Sequence, residues 1–250
     1  MTELFFHRAL PKEKVKIYTM KLIDGTWSKP ELASFSLNKE YGDYRPRLHP
    51  KGDLLYFSSN RPLEGDTTSS GKHQQWYVKK NESGWGEPIA IEEPFLDKSI
   101  ADLAPSENGN LYFSANKKNG KPDDEGIYYS INQDGHYTAI KRMGNEINSP
   151  DNWTCCPYIA PDERYIIFDG ARSSGYGGAD LYISFNKNGT WTESYNLGPR
   201  VNTEHGEGLA TVSPDEKYLF FYRTVNRGDI YWVDFIQLKK EILKNINLDN

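Results

Sequence analysis

The chain has 250 residues, a formal net charge of −5, 37% hydrophobic residues and 14% aromatic residues. Its mean hydropathy is −0.75, and no apolar run approaches the ~18 residues that a membrane-spanning helix needs, while the acidic balance argues against a nucleic-acid partner. The two cysteines, Cys155 and Cys156, cannot build a disulfide framework, no zinc-type spacing occurs, and residues 1–14 lack the apolar stretch of a signal peptide.

In chain order, one β-rich block returns five times: Leu4-Phe5-Phe6, Leu55-Tyr56-Phe57, Leu111-Tyr112-Phe113, Ile166-Ile167-Phe168 and Leu219-Phe220-Phe221. The last Phe of each recurs at intervals of 51, 56, 55 and 53 residues, the spacing of a repeat architecture. A second block follows each copy as Ile17-Tyr18, Trp76-Tyr77, Ile127-Tyr128, Leu181-Tyr182 and Ile230-Tyr231. Next comes a glycine turn into an aromatic, at Trp27, Trp85, Tyr137 and Trp191; a further turn precedes the first block at Pro50-Lys51-Gly52, Glu107-Asn108-Gly109, Pro161-Asp162-Glu163 and Pro214-Asp215-Glu216. One period thus holds four short strands, for example residues 44–49, 54–59, 75–79 and 86–91. The pattern predicts an all-β fold, a β-propeller of four-stranded antiparallel blades with five blades visible. The expected blades are 4–34, lacking its inner strand, then 43–92, 100–142, 153–196 and 207–235. Apolar spacing at Leu238, Ile242, Leu243 and Ile246 predicts a short helix within a C-terminal tail, 236–250. Two-sided burial of stacked sheets accounts for the aromatic load. A kelch-type propeller expects paired glycines inside a strand, and the pair Gly177-Gly178 falls in a predicted loop.

The string Pro-Asp-Glu-Lys-Tyr-Leu-Phe-Phe from Pro214, with Leu-Tyr-Phe-Ser-Ser-Asn-Arg from Leu55, resembles the TolB-type propeller repeat. Ala179-Asp180-Leu181-Tyr182-Ile183-Ser184 and Asp229-Ile230-Tyr231-Trp232-Val233-Asp234 extend the likeness over nearly the whole chain. The resemblance implies a bacterial propeller, a partner protein, and a periplasmic or secreted setting for the full-length parent. It also implies a segment upstream of the first blade that closes the ring. A truncated N-terminus is therefore expected, with five or six blades in the parent, a gapped seam between the first and fifth blades, and a monomer.

The start of each inner strand should reach one mouth of the central channel. Those positions hold Asp43, Ile100, Thr154 and Glu207, and two residues further on Arg45, Asp102, Cys156 and Leu209. Such a mouth could bind a cation, an amine or sugar hydroxyls, but acids there also satisfy backbone donors in loops, which is the favoured reading. Cys155 and Cys156 could close a strained vicinal ring or, as favoured, pack as thiols. Asn38, Asn148 and Asn202 read as repeated structural turns. Arg8, Arg61, Lys117, Arg172 and Arg223 close the second strands and read as partners for neighbouring carboxylates. The aromatics Trp27, Trp85, Tyr137 and Trp191 could stack on sugars, though packing is the better account.

Nucleophile elbows, HExxH and phosphate loops are missing, and the five histidines are scattered. No metal or cofactor is expected. The expected role is a non-catalytic scaffold binding a protein, peptide or saccharide through Asp43, Arg45, Asp102, Cys155, Cys156 and Glu207. The competing class is a glycoside hydrolase, with Asp43, Asp102, Asp151 and Glu207 as candidate acids.

Overall fold

In the computed structural model, residues 2–65, 73–96, 100–115, 125–150, 153–226 and 228–246 are described. Turn chemistry sets the hairpins first. Gly52, Gly109, Glu163 and Glu216 take left-handed backbone with φ of 75°, 81°, 61° and 55°. Their N–H groups donate to His49, Ser106, Ala160 and Ser213 carbonyls at 2.8–3.0 Å. Glycine adopts this conformation without steric cost. The two glutamates repay the strain by tying blades together: Glu163 accepts from Asn110 and Tyr112, Glu216 from Tyr165 and Lys239.

These turns fold the chain into a five-bladed propeller of antiparallel sheets. The second blade comprises Asp43–Leu48, Leu54–Ser59, Gln74–Asn81 and Ile89–Ala90. The third comprises Ile100–Pro105, Leu111–Ala115, Gly126–Ser130 and Lys141–Arg142, and the fourth Thr154–Ile159, Tyr165–Gly170, Asp180–Lys187 and Tyr195–Asn196. In the first blade Glu3–Arg8 pairs with Lys16–Ile23, which also pairs with Glu31–Leu32. No inner strand pairs with Glu3–Arg8 among the described residues. The fifth blade has three strands, Glu207–Val212, Tyr218–Arg223 and Asp229–Asp234. It runs into helix α1, Phe235–Asn245, where the Asp234 side chain caps the first turn by accepting from the Gln237 N–H.

One register differs from the sequence expectation. Phe6, Phe113, Phe168 and Phe221 lie opposite Tyr18, Tyr128, Tyr182 and Tyr231, but Phe57 lies opposite Trp76. The structural equivalent in the second blade is therefore Trp76, not Tyr77. Two consecutive aromatics leave the sequence pattern ambiguous, and the hydrogen-bond ladder decides which face each one takes.

The core lies between blades. Ile166, Phe168 and Tyr182 of the fourth blade pack with Ala104, Tyr112 and Ile127 of the third. Tyr165, Ile167, Leu181 and Ile183 on its other face pack with Ala210, Val212, Leu219 and Phe221 of the fifth, and with Phe235, Leu238 and Ile242 of the helix. Each such side chain contributes about 1.5–3 kcal/mol by leaving water. The equivalent positions on the far face of the fifth blade are open: Ile230 and Trp232 are 63% and 61% exposed, against 0% for Leu181 and Ile183. Trp85 meets Phe5 edge-on, Tyr137 meets Phe95 and Trp191 meets Tyr112, so these turn aromatics pack against neighbouring chain. Trp27 is exposed.

Candidate ligand site at the channel mouth

All four inner strands are bulged near their starts, with register shifts at Tyr44/Arg47, Ile100/Asp102, Cys155/Tyr158 and Gly208/Thr211. In three of them the bulged residue is left-handed, with φ of 52° at Arg45, 53° at Cys156 and 56° at Leu209. A non-glycine residue held there costs of order 1–3 kcal/mol. A bulge also re-aims the local N–H and side chain. The Arg45 N–H donates to His7 Nδ1 at 3.3 Å, and the Leu209 N–H is shared between the two Asp169 carboxyl oxygens at 3.0 and 3.1 Å.

These bulges assemble one site from several blades. Arg45 Nη1 donates to the Ala101 carbonyl at 2.7 Å and stands 3.9 Å from Cys156 Sγ. Contact between the second and fourth blades, which are not neighbours, places Arg45 across the axis. Arg47 grips Asp102 with two donors, at 3.3 and 2.7 Å, and the Asp102 side chain is wholly enclosed. Cys155 Sγ lies 3.4 Å from Ser114 Oγ and 2.8 Å from Cys156 Sγ.

The electrostatics are uneven. Burial works against the Arg45 and Arg47 charges, but the attraction of Asp102 outweighs it, and both guanidiniums stay charged. Burial and then the Arg45 charge lower His7, so its ring is a neutral acceptor for the Arg45 N–H; the same two causes lower His73, whose ring lies 4.8 Å from that of Tyr44. Asp169 is pushed well above the usual carboxylate range, first by burial and then by Cys155. The mouth thus holds a half-exposed cation, two neutral imidazoles, a buried arginine–carboxylate pair and a carboxyl that favours its neutral form.

Of the residues singled out in the sequence, Arg45, Asp102, Cys155 and Cys156 come together here. Asp43 and Glu207 do not join them. Asp43 accepts from Arg61 and Ser36, both at 2.7 Å, and Glu207 from Arg223 at 2.7 Å and Thr203 Oγ1 at 2.6 Å. Arg61, Arg172 and Arg223 each also reach a linker carbonyl, of Phe35, Ile147 and Val201 respectively. Asp151 and Lys117 lie outside the described residues. Asn148 and Asn202 bind both backbone groups of Ile127 and Leu181. In the first blade Ser36, not Asn38, accepts from the equivalent Ile17 N–H. His7, Ser114 and Asp169 were not singled out, although each directly follows the repeated Phe of its block. Among the described residues, no three His, Cys, Asp or Glu side chains gather as metal ligands, and no helix is long and apolar enough to cross a membrane.

No protein-family model matches the chain, and no curated protein matches it significantly in sequence. Solved structures do share its fold. TolB from Acinetobacter baumannii superposes with a TM-score of 0.58 at 15% identity, over 94% of this chain and 51% of that one. A TolB-assigned protein from Agrobacterium tumefaciens gives 0.52 at 17% identity, over 93% and 77%. The endo-arabinanase of glycoside hydrolase family 43 from Bacillus licheniformis gives 0.55 at 13% identity, over 92% and 88%. The chain spans about half the length of the Acinetobacter TolB.

Proposed function

We propose that this TolB-like propeller is a binding scaffold that takes a protein or peptide at the channel mouth, with Arg45 as the charged anchor. The observation that carries the reading is the state of Arg45: its side chain is 35% exposed, and a left-handed bulge fixes it at the axis. The acids that would otherwise define the mouth are occupied, Asp43, Asp102 and Glu207 each being held by an arginine. A fixed, partly dry guanidinium suits a ligand carboxylate, because a charge-assisted hydrogen bond contributes about 1.5–3 kcal/mol. A periplasmic or secreted setting is the expectation that the TolB resemblance adds.

The test is binding of wild type and Arg45→Ala to peptide and glycan arrays. The expected result is acidic peptide hits that weaken about tenfold or more in the variant, which is about 1.4 kcal/mol, and that weaken with salt. Hits of equal strength in both proteins would overturn the anchor.

Saccharide cleavage is the second reading. Asp102 and Asp169 come from adjacent blades to the same mouth, Asp102 paired with arginine and Asp169 favouring its proton; a carboxyl held protonated by its surroundings is what a general acid requires. The fold shared with an endo-arabinanase adds weight. Glycan hits with turnover that is lost in Asp102→Asn and in Asp169→Asn would replace the scaffold reading.

A further inference from the structure

Cys155 and Cys156 are both free thiols, the first half-buried and the second buried. Their sulfurs lie 2.8 Å apart on the bulged inner strand of the fourth blade. We propose that they form a thiol-modification site for small disulfides, in which Cys155 attacks and Cys156 resolves the mixed disulfide into a bond between the two neighbours. The proposal is independent of whether the mouth takes a peptide.

Three features assign the roles. Cys155 is the more accessible of the two residues, and its thiol also reaches the Ser114 hydroxyl at 3.4 Å. Cys156 is 5% exposed and left-handed, which turns its sulfur under that of Cys155 and towards Arg45. A resolving thiol is therefore already in contact before any reagent arrives. The thiol chemistry agrees with this division: the hydrogen bond from Cys156 is the largest influence lowering Cys155, and the same contact, with burial, raises Cys156 far above the usual thiol range. The thiolate is the attacking species.

The step balances as follows. The Cys155 thiol gives its proton to water, and the thiolate forms a bond to one sulfur of RSSR while the S–S bond breaks and RS⁻ leaves. The Cys156 sulfur then bonds to Cys155 Sγ, expelling the second RS⁻; the Cys156 proton and the one first lost to water convert the two leaving groups to two RSH. The dithiol loses two electrons and the small disulfide gains them. Closure withdraws the Cys156 thiol from Arg45 and Asp169, so the oxidised mouth holds its guanidinium differently.

The experiment treats the folded chain with excess 2-hydroxyethyl disulfide, quenches with an alkylating agent and maps the products by mass spectrometry. The expected sequence is a first adduct on Cys155, at least tenfold more often than on Cys156, followed by a species lacking two hydrogens. Cys156→Ser should stop at the Cys155 adduct, and in urea the preference between the two residues should disappear. Adducts persisting on both cysteines of the wild type would overturn the proposal, as would two unmodified thiols or equal first attack in the folded chain. The first adduct on the wild-type chain is decisive without any variant.

Discussion

Asp43 and Glu207 lie two residues ahead of the bulges at Arg45 and Leu209, yet they serve a different purpose from the carboxyls at the mouth. Each accepts from an arginine at or just past the end of the second strand of its own blade, which also holds a linker carbonyl. Charge, donors and burial match, and the group works as a latch between strand and linker. Asp169 is also buried, but the donor it accepts from is the Leu209 N–H. Of these two buried acids one has a guanidinium within 2.7 Å and the other a neutral N–H, and burial pushes Asp169 well above the usual carboxylate range. Burial alone does not tell latch from site; the partner does.

The sharpest way to break that comparison is to replace the carboxyl on each side. Glu207→Ala strands the Arg223 guanidinium, whose side chain is 15% exposed, and should cost about 3–5 kcal/mol of stability in urea unfolding. A loss below about 1 kcal/mol would mean that the latch is ornamental. Asp169→Asn should act in the other direction. The folded pKa of Asp169 is raised above its ordinary 3.8, so the native state keeps this proton longer than the unfolded chain does. Its contribution to stability is complete below the unfolded value and is lost as pH rises through the folded one. Asparagine has no such titration and still offers an acceptor to the Leu209 N–H. The variant should therefore gain on wild type as pH climbs from about 4 towards neutral, and parallel melting curves would contradict the assignment.

A smaller effect separates real from apparent repeats. Asn148→Ala leaves the buried Ile127 N–H without its acceptor, while the Ile127 carbonyl keeps the Met143 N–H, and should cost about 1–3 kcal/mol. Asn38→Ala should cost less, since its side chain accepts from the exposed Glu40 N–H; equal losses would restore Asn38 as an equivalent. The blades, their order and the helix were legible because interblade packing demands aromatic and aliphatic residues at a fixed spacing, as at Phe57, Phe113, Phe168 and Phe221. The Asn38 slip arose because Ser36 satisfies the same N–H with a different residue type. The mouth was half legible. Inner-strand starts could be counted from the turns, which found Arg45, Asp102 and Cys156, but the left-handed bulge residues are not glycines and share no residue type. Asp169 stayed hidden among strand residues, although its place after the repeated Phe was visible.

The smallest predicted effect concerns the bulge itself. Leu209→Gly removes the side chain that strains a left-handed backbone at φ 56°, a cost of order 1–3 kcal/mol. Glycine gives back about 0.5–1 kcal/mol through the greater freedom of the unfolded chain, and the 37% exposed leucine gives up some packing. The net change in urea unfolding should be within about 1 kcal/mol and towards greater stability. Ala210→Gly, one residue on in a fully buried extended position, has no strain to relieve and should destabilise by about 0.5–1 kcal/mol. If both substitutions destabilise equally, the bulge is not strained. If they separate, the backbone alone maintains the bulge by aiming its N–H at Asp169. Residue type at that place is then free to vary, which is how three blades can present an arginine, a cysteine and a leucine from one backbone device.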